Sequence, residues 1–217
     1  MSAIAYKSVA CIVAHPDDET LWAGGTLLSH PEWKSFVVCL CRKSDSERAE
    51  KFYMALKELH SEGVMGDMDD GPEQNPLNEV ELEQTILSLL PKKHFDLIIT
   101  HHPNGEYTRH LRHEEISQAV IKLWQSGSIA TYELMTFAYE DGNKAYYPKA
   151  DTKATVYNTL SDENWEQKYW IIREIYGFES NSWEAKTTPV AEAFWKFSHA
   201  EDATEWLGLQ KKNKAKL

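Results

Sequence analysis

Cysteine is scarce in this chain, with only Cys11, Cys39 and Cys41 among 217 residues. The odd count, with all three inside apolar runs, excludes a disulfide framework and leaves buried reduced thiols. Cys39 and Cys41 alternate on one face of a strand, unlike a C-x-x-C zinc or redox pair. Positive charge is also short: 23 Lys+Arg stand against 34 Asp+Glu, a formal charge of −11. Such a surface repels phosphate backbones, so nucleic acid is not an expected partner. No apolar run approaches the ~20 residues that span a bilayer, so no membrane span is expected. The stretch from Ser8 to Ala14 is too short, and too soon followed by charge, to be a secretory signal. The start, Met1-Ser2-Ala3, resembles an intact cytosolic terminus, so the expectation is a cytoplasmic protein. Internal repeats, Pro-rich linkers and low-complexity blocks are missing. No G-x-G-x-x-G or G-x-x-x-x-G-K-[ST] follows any apolar run, which leaves dinucleotide and P-loop binding without support.

What is there is an alternation. Ser8 to Ala14, Ser35 to Cys41 and Phe95 to Thr100 are near-continuous apolar runs, the pattern of strands buried on both faces of a parallel sheet. A short strand is expected at Val64-Met65 and another over Ile129 to Tyr139. Helices are expected over Thr20 to Leu28 despite Gly24-Gly25, over Ser46 to His60, over Glu79 to Leu90 and over His113 to Gly127. After Asp141 the pattern weakens. Ser161 to Tyr176 reads as an aromatic-rich helix capped by Ser161, and Val190 to Ser198 as another. Lys211 to Leu217 reads as a fraying lysine-rich tail.

Chemistry concentrates in two clusters, each directly after a buried run. In doubly wound sheets ligands bind outside the carboxyl ends of strands. The first cluster is Ala14-His15-Pro16-Asp17-Asp18-Glu19. Three successive carboxylates repel unless a cation sits among them or they point apart. His15 and Asp18, three apart, converge where a turn enters a helix, and Asp17 then points elsewhere. An acidic helix N-terminus accounts for Asp-Asp-Glu alone, but not for the His-Pro ahead of it. The second cluster runs from Thr100 to His113 and holds four histidines: His101, His102, His110 and His113. His110 and His113 are three apart at a helix start and project on one side. Two histidines and a carboxylate from the ends of different strands make a zinc ligand set with a position left for water. His101 and His102 are read as structural, or as supporting a ligand. His60, His94 and His199 have no functional context.

These residues resemble the PIG-L/LmbE-like family of zinc-dependent N-acetylglucosaminyl deacetylases. The stretch from Ala14 to Glu19 matches that family's signature without change. Gly24-Gly25-Thr26 matches its helix, and Arg48 falls where the family has an arginine at the head of its second helix. Asp96 to Thr100 and His110-x-x-His113 match the second signature, and the likeness covers about residues 8 to 125. The resemblance implies that His15, Asp18 and His113 bind Zn2+, and that Asp17 is the general base. It implies that His110 polarises the carbonyl and protonates the leaving amine. The function expected is removal of acetyl from an N-acetylglucosamine-type amino sugar or glycoconjugate, a small-molecule substrate. The alternatives are a sugar-binding module without catalysis and a metal-dependent hydrolase of another amide.

Two departures bear on this. The family often places Pro-Asp between the two histidines, where this chain has Leu111-Arg112. Another carboxylate must then orient His110, and Glu106 and Glu114 are the candidates. Tyr107 is left without a role. Arg48 and Asp70 are candidate contacts to sugar hydroxyls, against a reading as an ordinary helix charge and loop acid. Among eight tryptophans, Trp124, Trp165, Trp170 and Trp195 are expected in the core, and Trp22 and Trp183 in a pocket wall. The fold class expected is α/β, a Rossmann-like doubly wound, mostly parallel sheet with helices on both faces. Residues 1–217 are read as a single domain: a core of 1–140 and an aromatic-rich helical part, 141–217, in which an exposed aromatic patch could serve as an interface, the oligomeric state being left open.

Overall fold

A computed structural model of the protein describes residues 6–107 and 109–214. The start of the chain and residues 215–217 of the tail lie outside them. The main sheet has seven strands in the order β3-β2-β1-β4-β5-β9-β8. These are β1 (Ser8–Val13), β2 (Lys34–Cys41), β3 (Glu62–Met68), β4 (His94–Thr100), β5 (Ala130–Phe137), β8 (Val156–Thr159) and β9 (Ala191–Phe197). A two-stranded ribbon, β6 (Tyr139–Glu140) and β7 (Lys149–Ala150), stands apart from it. The first five strands of the main sheet pair parallel. β9 runs antiparallel to β5, and β8 antiparallel to β9. The strand order reverses at β1, whose neighbours β2 and β4 lie on opposite sides, so the crevice opens at the carboxyl ends of β1 and β4.

The pleat of β1 shows why both faces are covered. Val9, Cys11 and Val13 pack with α1 (Asp18–Leu28), α2 (Ser46–Glu58) and the π-helical turn Ile171–Ile175 on one side. Ala10, Ile12 and Ala14 pack with α3 (Glu79–Leu89), α4 (Leu111–Gln125) and α7 (Ala200–Lys214) on the other. A strand apolar on both faces requires this sandwich. The α5 helix (Asp162–Trp170) begins at Ser161, whose side chain accepts from Asn164 N–H, as its residue type predicts.

The C-terminal part departs from the helical expectation. Residues 191–197 form β9, a strand inside the sheet, and the helix lies later, at α7. Ala and Glu in Ala191–Phe197 favour helix, but sheet pairing overrides so weak a preference. The lysine-rich residues 211–214, read as a fraying tail, continue α7. Glu192 shows what β9 is for. Its buried carboxylate accepts from Gly25 N (2.8 Å), Thr26 N (2.7 Å), Thr26 Oγ1 (2.6 Å) and Lys168 Nζ (2.7 Å). It therefore bolts α1 to the far half of the sheet. Gly25 is required there, because a Cβ on it would lie 2.3 Å from Leu160. Trp124 is buried as expected, whereas Trp170 is 43% exposed and is no core residue.

Candidate active site

The chain leaves β1 at Val13 and turns into α1 within four residues. Asp17 makes the turn at φ 111°, a conformation that non-glycine residues rarely adopt. Three bonds hold it: its carbonyl accepts from Leu21 N (2.7 Å) and Thr20 N (3.0 Å), and its N–H donates to Glu19 Oε2 (3.1 Å). Glu19 is fully buried, and Tyr176 OH, at the end of the π-helical turn, donates to its Oε1 (2.6 Å). A C-terminal tyrosine thus braces the strained turn that presents Asp17.

The turn brings His15 and Asp18 against His113 on the first turn of α4. His15 Nδ1 and Asp18 Oδ2 are 3.1 Å apart. His113 Nε2 lies 3.3 Å from each of them. A tetrahedral zinc site with ligand bonds of about 2.0–2.1 Å has ligand atoms roughly 3.3 Å from one another. The three edges of this triangle fit that figure. His110 and His101 also come near, so the ligand atoms of His15, His110 and His113, and of Asp18, His101 and His113, lie within 4.8 Å of one another. Chemistry separates the candidates. His101 Nε2 accepts the Ala14 backbone N–H at 2.9 Å, so its lone pair is spent on joining the ends of β4 and β1. His101 Nδ1 must then carry the proton, and it sits 3.1 Å from Glu106 Oε2.

Glu106 is the residue the sequence reading misplaced. It does not touch His110. It is fully buried and accepts from His113 Nδ1, His101 Nδ1 and the His102 backbone N–H (2.8 Å). A proton on His113 Nδ1 leaves Nε2 bare toward His15 and Asp18, the arrangement in which a carboxylate orients a metal-binding histidine. Asp70 Oδ1 lies 3.2 Å from His15 Nε2, an ion-pair distance without hydrogen-bond geometry. Its Oδ2 is held by the Arg42 guanidinium, Nε at 2.9 Å. Gln74 Nε2 donates to Oδ1 at 3.0 Å, so both Asp70 oxygens have partners within the protein, and Asp70 lines the cavity. Glu114, the other candidate for orienting His110, pairs with Arg109. Arg112 is buried and grips the loop 69–75 through Asp69 O and Asn75 O (2.6 Å each). His110 is positioned by rings instead: it stacks on His113 at 4.2 Å and meets Tyr107 edge-on at 5.9 Å. Its Nδ1 has no hydrogen-bond partner among the described residues.

Electrostatics follow from this crowding. Burial alone would lower His113, but the Asp18 and Glu106 carboxylates on either side raise it to about 10. Burial would raise Asp18 and Glu106, yet the histidines hold both below the usual carboxylate range. The triangle thus favours positive charge, which a divalent ion in place of the His113 proton would supply. Asp17 is raised to about 8, by burial and then Asp18, against the pull of Arg48 and His15. Burial, with His113 and His15 nearby, lowers His110 to about 3. Arg48 Nη1 donates to Asp17 Oδ2 at 3.2 Å, so the predicted arginine is present but tied to Asp17. His15, Asp17, Asp18, Arg48, Asp70 and His110 share one cavity of about 460 Å³, with Trp22 and Trp183 in its wall as predicted. His102 has its Nδ1 occupied by Asn104 N–H (3.0 Å) and lies outside that wall.

A family model described as PIG-L, GlcNAc-PI de-N-acetylase, matches residues 10–124, just over half of the chain. The chain belongs to the PIG-L family. All the histidines and carboxylates of the triangle lie inside the matched stretch, whereas Tyr176, Trp183 and Glu192 lie beyond it. This PIG-L chain is 27% identical over 145 residues to an uncharacterized protein of Acanthamoeba polyphaga mimivirus, covering 59% of this chain and 60% of that relative. It therefore spans about 60% of the length of the curated relative it matches. Among solved structures it is similar to N,N'-diacetylchitobiose deacetylase from Pyrococcus horikoshii, with TM-score 0.67 and 18% identity over 89% of this chain and 85% of that one. It is similar to the zinc-inhibited form of teicoplanin deacetylase, with TM-score 0.60 and 13% identity over 83% and 89%. It is also similar to a 4-carboxy-2-hydroxymuconate hydratase from Pseudomonas putida, with TM-score 0.58 and 16% identity over 88% and 95%. Among the described residues no helix is long and apolar enough to cross a membrane.

Proposed function

We propose that this PIG-L protein is a zinc-dependent hydrolase that removes the acetyl group from an N-acetylglucosamine-type sugar, releasing acetate and a free amine. The observation that carries the reading is the triangle of His15 Nδ1, Asp18 Oδ2 and His113 Nε2, with Asp17 and His110 beside it on one cavity. In this reading residues 1–217 work as one cytoplasmic domain, in which 141–217 complete the walls of a site built from 1–140. His15, Asp18 and His113 would hold the ion. When bound, zinc supplies a Lewis acid for the amide carbonyl and lowers the pKa of water to about 7.

The remaining work falls to the chain itself. An amide is a poor electrophile, and an amine leaves only when protonated. In the metal-free protein Asp17 keeps its proton up to about pH 8; a cation held by the triangle would lower that value, and the ionised carboxylate, steered by Arg48, then takes a proton from the attacking water. The leaving nitrogen needs one proton, the same number that Asp17 collects, so the step closes without net charge left in the pocket. His110 is neutral at pH 7 and turns toward the cavity. It donates N–H to the carbonyl oxygen as negative charge builds there. Proton return is thereby assigned to Asp17 rather than to His110.

The test is acetate release from N-acetylglucosamine derivatives by zinc-loaded protein, alongside Asp17→Asn and His113→Ala. Release that both variants lower at least 100-fold supports the reading. Binding of sugar without release points to a module, and hydration of an unsaturated acid without amide cleavage points to chemistry like that of the P. putida neighbour.

A further inference from the structure

We propose that a second cleft beside the candidate active site receives an uncharged second sugar ring of the substrate, which rests on the reading above. This cleft, of about 400 Å³, shares Tyr107 and Trp183 with the cavity that holds Asp17 and His110. Those two rings meet at 4.7 Å and form the common wall. Its outer side is the β6–β7 connection, with Asp141, Lys144, Tyr146 and Tyr147 facing the space.

Tyr146 and Tyr147 do different work. Gly142 has φ 59°, and a Cβ there would lie 2.4 Å from the Tyr146 ring, so the glycine seats that ring in the turn. Lys149 Nζ covers the ring at 4.2 Å. Tyr146 is therefore a fixed part of the turn. Tyr147 is 46% exposed at the cleft and offers a broad ring to a ligand. Aromatic faces pack against the C–H faces of pyranose rings, and tyrosine adds area at low entropic cost.

Charge decides against a phosphodiester. The cations lining the two cavities are Arg42, Arg48 and Lys144. Arg42 grips Asp70 through both Nε and Nη2, and Arg48 holds Asp17 through Nη1, so each guanidinium charge is already shared with a carboxylate. Asp141 stands in the same wall as Lys144, and Asp17, Asp18, Asp70 and Glu184 line the neighbouring cavity. A neutral ring meets no penalty there, whereas a phosphate meets carboxylates.

The experiment compares kcat/KM for N-acetylglucosamine, N,N'-diacetylchitobiose and N-acetylglucosamine-1-phosphate in the zinc-loaded protein and in Tyr147→Ala and Tyr147→Phe. Chitobiose binding to Asp17→Asn, with and without Tyr147→Ala, is measured by calorimetry. The disaccharide is expected to be preferred over the monosaccharide, with the preference falling about 3- to 10-fold in Tyr147→Ala and kept in Tyr147→Phe. The phosphorylated sugar is expected to gain nothing. No disaccharide preference, a preference indifferent to Tyr147→Ala, or a preference for the phosphate overturns the proposal. If no sugar releases acetate, the deacetylase reading fails and calorimetry decides this one. Chitobiose binding weakened several-fold by Tyr147→Ala upholds the cleft, and absent or unaltered binding overturns it.

Discussion

Glu106→Gln separates a carboxylate that orients the metal-binding histidine from one that merely fills space. Glu106 accepts three N–H groups: His113 Nδ1 and His101 Nδ1 on one oxygen, and His102 N on the other. Glutamine has one acceptor oxygen and a donating NH2. If the amide oxygen faces the two imidazoles, the His102 N–H points at NH2 and a buried bond is lost. If it faces His102, both imidazoles meet a donor and must shift their protons to Nε2. His101 could then no longer accept from Ala14, and His113 would present N–H to the triangle. Either outcome removes at least one hydrogen bond to a buried charge, about 1.5–3 kcal/mol. For a chain of this size that lowers the melting temperature by roughly 3–12 °C. Partners of metal-binding histidines are worth about 10- to 100-fold in metal affinity. Zinc affinity by chelator competition and melting with and without zinc read both effects. Affinity within about twofold of wild type and melting within about 1 °C would refute the orienting role of Glu106.

Other consequences follow from the same geometry. Glu192→Ala strands the buried Lys168 ammonium and is expected to cost about 3–5 kcal/mol in urea unfolding. Lys168→Met should cost less, because Glu192 keeps its three bonds from Gly25 and Thr26; the reverse order contradicts the bolt. Tyr176→Phe removes the 2.6 Å brace on Glu19 and should lower kcat with KM within about twofold, and a rise in KM alone would contradict it. In metal-free protein His113 is raised from 6.5 to about 10, so its contribution is full below 6.5 and lost as pH climbs toward 10. Asp17, raised from 3.8 to about 8, binds a proton in the folded state that the unfolded chain has lost, so stability also falls as pH rises through that range. Melting of chelator-treated protein should therefore drop from pH 6.5 to 9 and flatten with zinc. A rise over that interval contradicts the assignment.

What could be read in advance depended on how local the cause was. β1, β2 and β4 are apolar on both faces, and that pattern exists only in a covered parallel sheet. His15, Asp18 and His113 could be named because spacing and a family signature act within short stretches. The resemblance supplied their roles, and the structure brings the three side chains together. Glu106 and Asp70 were visible as acids, but their partners are fixed by two loops that meet only when β1 and β4 are neighbours. A carboxylate set between the pairs His101-His102 and His110-His113 was the available signal for Glu106. β9 was misread because Ala191–Phe197 pairs a helix-favouring composition with a buried glutamate, and its partner Lys168 lies on another element. Tyr176 could not be found at all, since its hydroxyl reaches a residue 157 positions earlier.

The central claim is that three atoms from two strand ends hold one zinc. A zinc-soaked crystal, measured on either side of the zinc absorption edge, tests it most directly. The account predicts a single anomalous peak about 2.0–2.2 Å from His15 Nδ1, Asp18 Oδ2 and His113 Nε2, with His101 still accepting from Ala14. No peak in the cavity, or a zinc held through His101 or His110 instead of this triangle, would contradict it.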